Sequence, residues 1–378
     1  MHLGYFKMNK ILKVTLLVFG LMALETKAQN LLTFADSIRK EYRMPALAYA
    51  VIKSDKVLTM EVCGTRRSDS TEATTLQDKF HLGSNTKAIT SYVAAKLIED
   101  GKIGWQTTFF QLFPALKDSS LPDYQNITLQ DLLSHRAGIL PFTSGLEQKK
   151  VPKLTGSQGE KWRQFATWLL KQSPVKYKKE GFSMSQYSNA GYVLAAIMLE
   201  EASGKTWAEL VTETLGKIKI KPVFGFPNKS NVHQPWGHRT GLAWGMGDNY
   251  IEPCKPNDDY NLDLIAPAGD ISMSLPEYVK FLQEHLKGLK GKNGLLTMSS
   301  IQLMHYGLPE YALGWGNTSL KGKKISYHDG SGGTFYCHVI LLKEQDLGIV
   351  IFSNIAGRRA EKAIYLLSDK LRTTFTKN

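Results

Sequence analysis

The chain has 378 residues, which suits one large domain or two interleaved lobes. Hydrophobic residues make up 43% and charged residues 21% of it, so the chain can bury a core and is not disordered by composition. Its three cysteines are too few for a disulfide framework, although a single bridge is compatible with an oxidising compartment. The formal charge is +13, but no basic run interleaved with aromatic residues occurs, which argues against a nucleic-acid partner.

The first 28 residues have the layout of a secretory signal peptide. Lysines precede an apolar run at residues 14–24, and Ala28 offers a small residue for cleavage. This run is too short to span a bilayer, so cleavage is favoured over an uncleaved N-terminal anchor. We therefore expect a periplasmic or secreted chain, residues 29–378, without a stable membrane span. Four lysines and one glutamate leave with the segment, so the formal charge falls from +13 to +10, which favours anionic surroundings or simply solubility.

The N-terminal part of the mature chain predicts strands followed by a helix. Residues 47–53 and 56–64 form apolar runs around a short turn, which is typical of a β-hairpin. A helix opens at Ser84, with apolar residues at helical spacing, and Gly101 supplies its end.

From residue 101 to about residue 264 the pattern is mostly helical. We predict one helix from Thr128, its N-cap, to Ile139, and amphipathic helices at residues 160–172 and 190–204. Residues 224–261 have no clear period and many turn residues, which predicts a loop region.

The C-terminal part returns to strands. A helix is predicted at residues 276–288, starting with a proline in its first turn. Runs of β-branched and aromatic residues then predict strands at residues 323–330, 334–343 and 346–354, before a final helix at 358–375. Strands at both ends predict an α/β (α+β) fold: residues 29–100 and 265–378 form an α/β lobe, and 101–264 form an inserted, mostly helical lobe.

A serine three residues before a lysine is a candidate nucleophile with its base, but the spacing alone is weak evidence. Ser173 precedes Pro174, which disfavours a helix there, and Ser37 lies in a polar helix. Only Ser84 follows a glycine and opens a strongly apolar helix. The spacing occurs three times, at Ser37–Lys40, Ser84–Lys87 and Ser173–Lys176.

The start of a helix suits acyl-transfer chemistry at Ser84. The helix N-terminus stabilises negative charge, and its free backbone N–H groups can bind an oxyanion. Lys87, one turn away, can take the serine proton if burial keeps its amine neutral. The alternative reading is that Ser84 merely caps the helix.

Three motifs in order resemble those of the serine β-lactamase and penicillin-binding-protein family, particularly its class C-like and esterase-like branch. Ser84-x-x-Lys87 comes first, Tyr187-Ser188-Asn189 second, and His328-Asp329-Gly330 third, on a predicted C-terminal strand. The resemblance extends over roughly residues 35 to 375. It implies a β-lactamase/transpeptidase-like fold with an antiparallel sheet flanked by helices, and no cofactor.

The resemblance also implies roles for the first two motifs. Ser84 would be the nucleophile, and Lys87 and Tyr187 would form the base system, with the identity of the general base left open. Tyr187 would protonate the leaving group and activate the deacylating water. Asn189 would bind both Lys87 and the substrate amide.

The third motif differs from the commoner lysine motif of antibiotic-hydrolysing relatives. His328 can donate a hydrogen bond to a tyrosine or to a substrate carboxylate, but it is fully charged only when protonated. This favours an esterase or D-peptidase over an efficient β-lactamase. Gly330 would let the strand approach the substrate, and the backbone N–H groups of Ser331 and Ser84 would form the oxyanion hole.

Other chemistries lack their motifs. The chain has no Gly-x-Ser-x-Gly, which argues against an α/β-hydrolase, and no His-Glu-x-x-His, so a metal site is not expected. The sequence therefore predicts an exported serine hydrolase that forms an acyl-enzyme on Ser84 with an ester, an amide, a D-amino-acid peptide or a β-lactam. The alternative is a non-catalytic penicillin-binding-like sensor or scaffold for cell-wall peptides. Loops at residues 140–160 and 225–262 are expected to shape the pocket.

Overall fold

The computed structural model describes residues 29–241, 250–254, 262–320 and 322–376. The predicted signal peptide lies outside these residues. Among the helices of the described ranges, none has both the length and the apolar character needed to cross a membrane.

The strands are short to medium in length, and they occur mainly at the two ends of the chain. They are β1 (Ala46–Ile52), β2 (Val57–Gly64), β3 (Lys79–His81), β4 (Val223–Phe224), β5 (His238–Gly241), β6 (Tyr250–Pro253), β7 (Ile271–Ser274), β8 (Gly316–Leu320), β9 (Lys323–Ser331), β10 (Tyr336–Leu342) and β11 (Leu347–Ser353).

The helices fill the middle of the chain and both of its described ends. They are α1 (29–41), α2 (Thr86–Glu99), α3 (Phe109–Leu112), α4 (Leu129–Leu133), α5 (Gly145–Gln148), α6 (Gln158–Leu169), α7 (Asn189–Ser203), α8 (Trp207–Gly216), α9 (Pro227–Ser230), α10 (Ala266–Gly269), α11 (Leu275–Leu289), α12 (Met298–Tyr306) and α13 (Arg358–Thr376).

A six-stranded antiparallel sheet joins the two ends of the chain, as predicted. Its order is β2-β1-β11-β10-β9-β8, so the N-terminal hairpin pairs with the C-terminal strands through β1 and β11. In the register, Tyr49 lies opposite Ile351, and His328 lies opposite Val339. The C-terminal strands form a meander, which places the third motif in β9, beside the edge strand β8.

Both faces of this sheet are covered. Alternate residues of β1 enter different cores: Ala48 and Ala50 pack into the large core that includes α2 and α11, whereas Tyr49 and Val51 pack with α1 and α13 on the other face. Burial on both faces explains why β1 and β11 are continuous apolar runs rather than alternating ones.

Two predictions for the helical region are wrong in detail. The helix predicted from Thr128 to Ile139 is only α4, because His135 adopts a left-handed backbone conformation with φ of 62° just after it. Thr128 does cap this helix, accepting a 3.1 Å hydrogen bond from the Asp131 N–H. Helix α7 is not amphipathic: every residue from Ala190 to Glu200 is buried, because α2, α4 and α6 pack around it. The proposed lobe boundaries stay a prediction.

Candidate active site

Ser84 lies in a 3-10 turn, Gly83–Asn85, that leads directly into α2. The end of β9 approaches this turn so closely that side chains are excluded. A Cβ on Gly83 would lie 2.3 Å from the Ser331 nitrogen, and one on Gly330 would lie 2.0 Å from the Leu82 carbonyl oxygen. These two glycines therefore bring the Ser331 backbone beside Ser84, where an oxyanion hole requires it.

A buried histidine holds the turn in place. The Gly83 N–H donates to His81 Nδ1 at 3.3 Å, and His81 Nε2 lies 3.1 Å from an Asp270 carboxylate oxygen. The bond from Gly83 leaves the ring proton on Nε2, where it can be donated to Asp270. His81 thus shapes the backbone next to the nucleophile.

Lys87 is fully buried, and its amine is surrounded by oxygen atoms. Nζ lies 2.6 Å from Asn189 Oδ1, 2.9 Å from the Ala268 carbonyl oxygen and 3.2 Å from Ser84 Oγ. Burial lowers the pKa of this amine well below its usual value. A neutral amine has two N–H groups, which donate hydrogen bonds to Asn189 Oδ1 and to the Ala268 carbonyl oxygen. Its one lone pair then faces the Ser84 hydroxyl.

Tyr187 lies beside Lys87 and Ser84. Lys87 Nζ lies 4.6 Å from the centre of the Tyr187 ring, and the Tyr187 phenol interacts with the Ser84 side chain. Burial raises the pKa of the Tyr187 phenol, with the bond to Ser84 opposing this rise. The phenol therefore keeps its proton.

Asn189 is held by the segment that follows α4. Its backbone N–H donates to the Pro141 carbonyl oxygen at 2.7 Å, and its side-chain Nδ2 donates to the Phe142 carbonyl oxygen at 2.8 Å. These bonds orient Oδ1 towards Lys87.

His328 bonds to a tyrosine, Tyr311, although it accepts this hydrogen bond rather than donating it. Its Nδ1 donates to the Asp329 carbonyl oxygen at 2.8 Å, and its Nε2 accepts from the Tyr311 hydroxyl at 3.1 Å. Burial lowers the pKa of His328 to about 4. The ring is therefore neutral at pH 7, and in this arrangement neither nitrogen is left to bind a substrate carboxylate.

Sequence reasoning did not single out His135 and Tyr311. The His135 ring lies 4.3 Å from the Tyr187 ring and 4.6 Å from the Tyr311 ring, and its Nδ1 accepts the Ser188 N–H at 3.0 Å. His135 thereby supports the backbone of the second motif. Both residues lie outside the three motifs but within residues 35 to 375, over which the family resemblance extends, and that extent was the available signal.

A cleft of about 270 Å³ opens onto the nucleophile. Its described lining contains no charged side chain, and no described group of three or more His, Cys, Asp or Glu residues is placed to hold a metal ion. The described lining consists of Ser84, Phe142, Thr143, Ser144, Gln148, Asn189, Leu262, Ile265, Gly269, Ser331, Gly332 and Gly333.

The β-lactamase family model matches residues 25–371, which is most of the chain and includes all three motifs. The chain belongs to the β-lactamase family. It has the β-lactamase/transpeptidase-like fold that the motifs predicted. A curated relative, unguisins hydrolase ungD' of Aspergillus campestris, is 23% identical over 363 residues, covering 89% of this chain. The chain spans 64% of that relative's length and 66% of protein flp of Staphylococcus aureus.

Two solved structures share the fold. The penicillin-binding protein homologue from Pyrococcus abyssi superposes with a TM-score of 0.70 at 20% identity, covering 91% of this chain and 77% of the homologue. The D-amino acid amidase from Ochrobactrum anthropi superposes with a TM-score of 0.69 at 16% identity, covering 91% of this chain and 99% of the amidase.

Proposed function

We propose that this protein is an exported hydrolase that cleaves uncharged esters or amides through an acyl-enzyme on Ser84. The 3.2 Å contact between Ser84 Oγ and Lys87 Nζ carries the proposal, because the other hydrogen bonds of this buried amine leave its lone pair facing the hydroxyl.

In the acylation step, Ser84 Oγ attacks the substrate carbonyl while its proton passes to Lys87 Nζ. The backbone N–H groups of Ser84 and Ser331 stabilise the negative charge that develops on the carbonyl oxygen. The bond to the leaving alkoxide or amine then breaks, and Tyr187 supplies the proton that the leaving group needs. Lys87 returns its proton to Tyr187, which restores both groups.

Deacylation uses the same groups with water as the nucleophile. Tyr187 takes a proton from the water as it attacks the acyl carbon and passes its own proton to Lys87, and Lys87 returns a proton to Ser84 Oγ as the bond between Oγ and the acyl carbon breaks. The products are the free acid and the regenerated serine.

The uncharged lining of the described cleft supports a neutral substrate. A free carboxylate, as in penicillins or at the end of a D-alanyl peptide, would need a cationic partner, and His328 is neutral and bonded to Tyr311. The name of one curated relative, a hydrolase of unguisins, agrees with hydrolysis, and that of one structural neighbour, a D-amino acid amidase, agrees with cleavage of amides.

Labelling with a fluorophosphonate tests this function. We expect one adduct at Ser84 by mass spectrometry, and turnover of p-nitrophenyl esters or amino-acid amides that Ser84→Ala abolishes. Ser37→Ala is the matched control, because Ser37 has the same spacing to a lysine but lies exposed on α1. A chain that forms no adduct and turns over none of these substrates or penicillin would instead be the non-catalytic sensor or scaffold.

Export is tested separately by the mature N-terminus. We expect N-terminal sequencing of the protein from the periplasm or medium to begin at residue 29. Retention of residues 1–28 would contradict the proposed cleavage.

A further inference from the structure

The two most exposed large apolar side chains among the described residues lie beside the active site. Met184 is 74% exposed and Leu146 is 69% exposed, whereas the next, Val232, is 58% exposed. Leu146 is in α5, between the cleft residues Ser144 and Gln148. Met184 opens the 3-10 turn that leads into Tyr187.

Leu146 and Met184 belong to two chain segments that contact each other at one place, which we call the junction. The junction is residues 138–142, where the Leu140 carbonyl oxygen accepts from Ser188 Oγ at 2.7 Å and the Gly138 carbonyl oxygen accepts from the Val175 N–H at 2.9 Å. Residues 144–153 follow this junction in the chain, and residues 174–184 begin against it, with Pro174, Val175 and Tyr177 next to Gly138. We refer to these two segments together as the rim.

The rim is also strongly basic. It contains six lysines against two glutamates, and all six lysine side chains are exposed. None of these amines takes part in an ion pair within the described part of the chain. The lysines are Lys149, Lys150, Lys153, Lys176, Lys178 and Lys179.

We propose that the rim docks the entrance of the active site onto a phospholipid surface that carries anionic headgroups. Lysines attract such a surface over about a Debye length, and apolar side chains next to them enter the boundary between headgroups and acyl chains. An acidic polysaccharide would match the lysines but offers no apolar region for Leu146 and Met184. The combination therefore favours a lipid surface, and this docking does not depend on catalysis.

A fluorophore whose emission reports the polarity around it tests the docking residue by residue. Leu146→Cys and Met184→Cys would each be labelled with nitrobenzoxadiazole in a Cys63→Ser background of the full chain, where Cys254 and Cys337 are buried. Val57→Cys is the control site, because Val57 is 43% exposed on β2, the edge of the sheet far from β9.

With vesicles of phosphatidylcholine and phosphatidylglycerol we expect a blue shift at positions 146 and 184 and none at position 57. The shift should vanish with pure phosphatidylcholine and fall as salt is added. Lys149→Glu with Lys150→Glu should weaken the vesicle affinity measured by this shift at least about tenfold. The control replaces Lys290 and Lys292, which are exposed in the turn after α11, with glutamate. This change should alter the vesicle affinity by no more than about twofold.

Three results would overturn the proposal. They are the lack of a shift at both rim positions, an equal shift at position 57, and a response to soluble dextran sulfate without a response to vesicles. The last result would assign the rim to an acidic polymer.

Discussion

Asn189 accepts a 2.6 Å hydrogen bond from Lys87 Nζ and so joins helix α7 to helix α2 beside Ser84. The acceptor is an amide rather than a carboxylate, so it binds the amine without adding a negative charge. Complete burial lowers the pKa of the Lys87 amine, and the amide adds no negative charge that would raise this pKa again, so the amine is available as a base.

Asn189→Asp should shift the pH dependence of kcat/KM to higher pH. A carboxylate at this distance raises the pKa of the Lys87 amine, so the neutral form appears only at higher pH. We expect the acidic limb of kcat/KM for a p-nitrophenyl ester to shift to higher pH, while Lys87→Met lowers kcat by about 10²–10⁴-fold at all pH values. An acidic limb that stays in place in Asn189→Asp would contradict the assignment of Lys87 as base.

Gly330→Ala should damage the site through the backbone alone. The new Cβ would lie 2.0 Å from the Leu82 carbonyl oxygen, so β9 must move away from the turn that holds Ser84. We expect kcat to fall by about 10²–10³-fold because the Ser331 N–H is displaced, which steady-state kinetics would measure. Gly216→Ala is the control, since its Cβ meets no other atom within 4 Å, and it should keep full activity.

Tyr311→Phe should destabilise the protein. It removes the hydroxyl that donates to His328 Nε2 and leaves this buried nitrogen without a donor, which costs about 1–3 kcal/mol in the free energy of unfolding. Denaturant unfolding monitored by circular dichroism measures the change. Tyr365→Phe also removes a hydroxyl that donates to a motif residue, Asp329, but Tyr365 is 47% exposed and water can replace it. Equal losses in the two variants would contradict this account.

The stability of the protein should fall on mild acidification. Burial lowers the pKa of His328 and of His238 to about 4, against about 6.5 in an unfolded chain. Between these values the unfolded state binds more protons, so its free energy falls as the pH drops from 6.5 to 4. We expect each histidine to reduce the free energy of unfolding by about 3 kcal/mol over this range. Denaturant titrations at several pH values measure this loss, and His238→Gln should make it smaller; an unchanged slope in that variant would exclude His238.

Much of the fold follows from local patterns. Strands β1, β10 and β11 are apolar runs rich in β-branched or aromatic residues, and the start of α11 is marked by Pro276 and by a capping box of Ser274 and Glu277. The end of α4 was missed because Ser134 and Arg136 are compatible with a helix, and only the packing of His135 against Tyr187 and Tyr311 explains the left-handed backbone there.

The sequence by itself determined the family, the sheet made from both ends of the chain, and the three motifs, which contain Ser84 with Lys87, Tyr187, and His328. These features depend on residue type and order. Only the tertiary structure decided that Lys87 is desolvated, that His328 bonds to Tyr311 and that β9 touches the turn at Gly83, because burial and hydrogen-bond partners come from residues far apart in the chain.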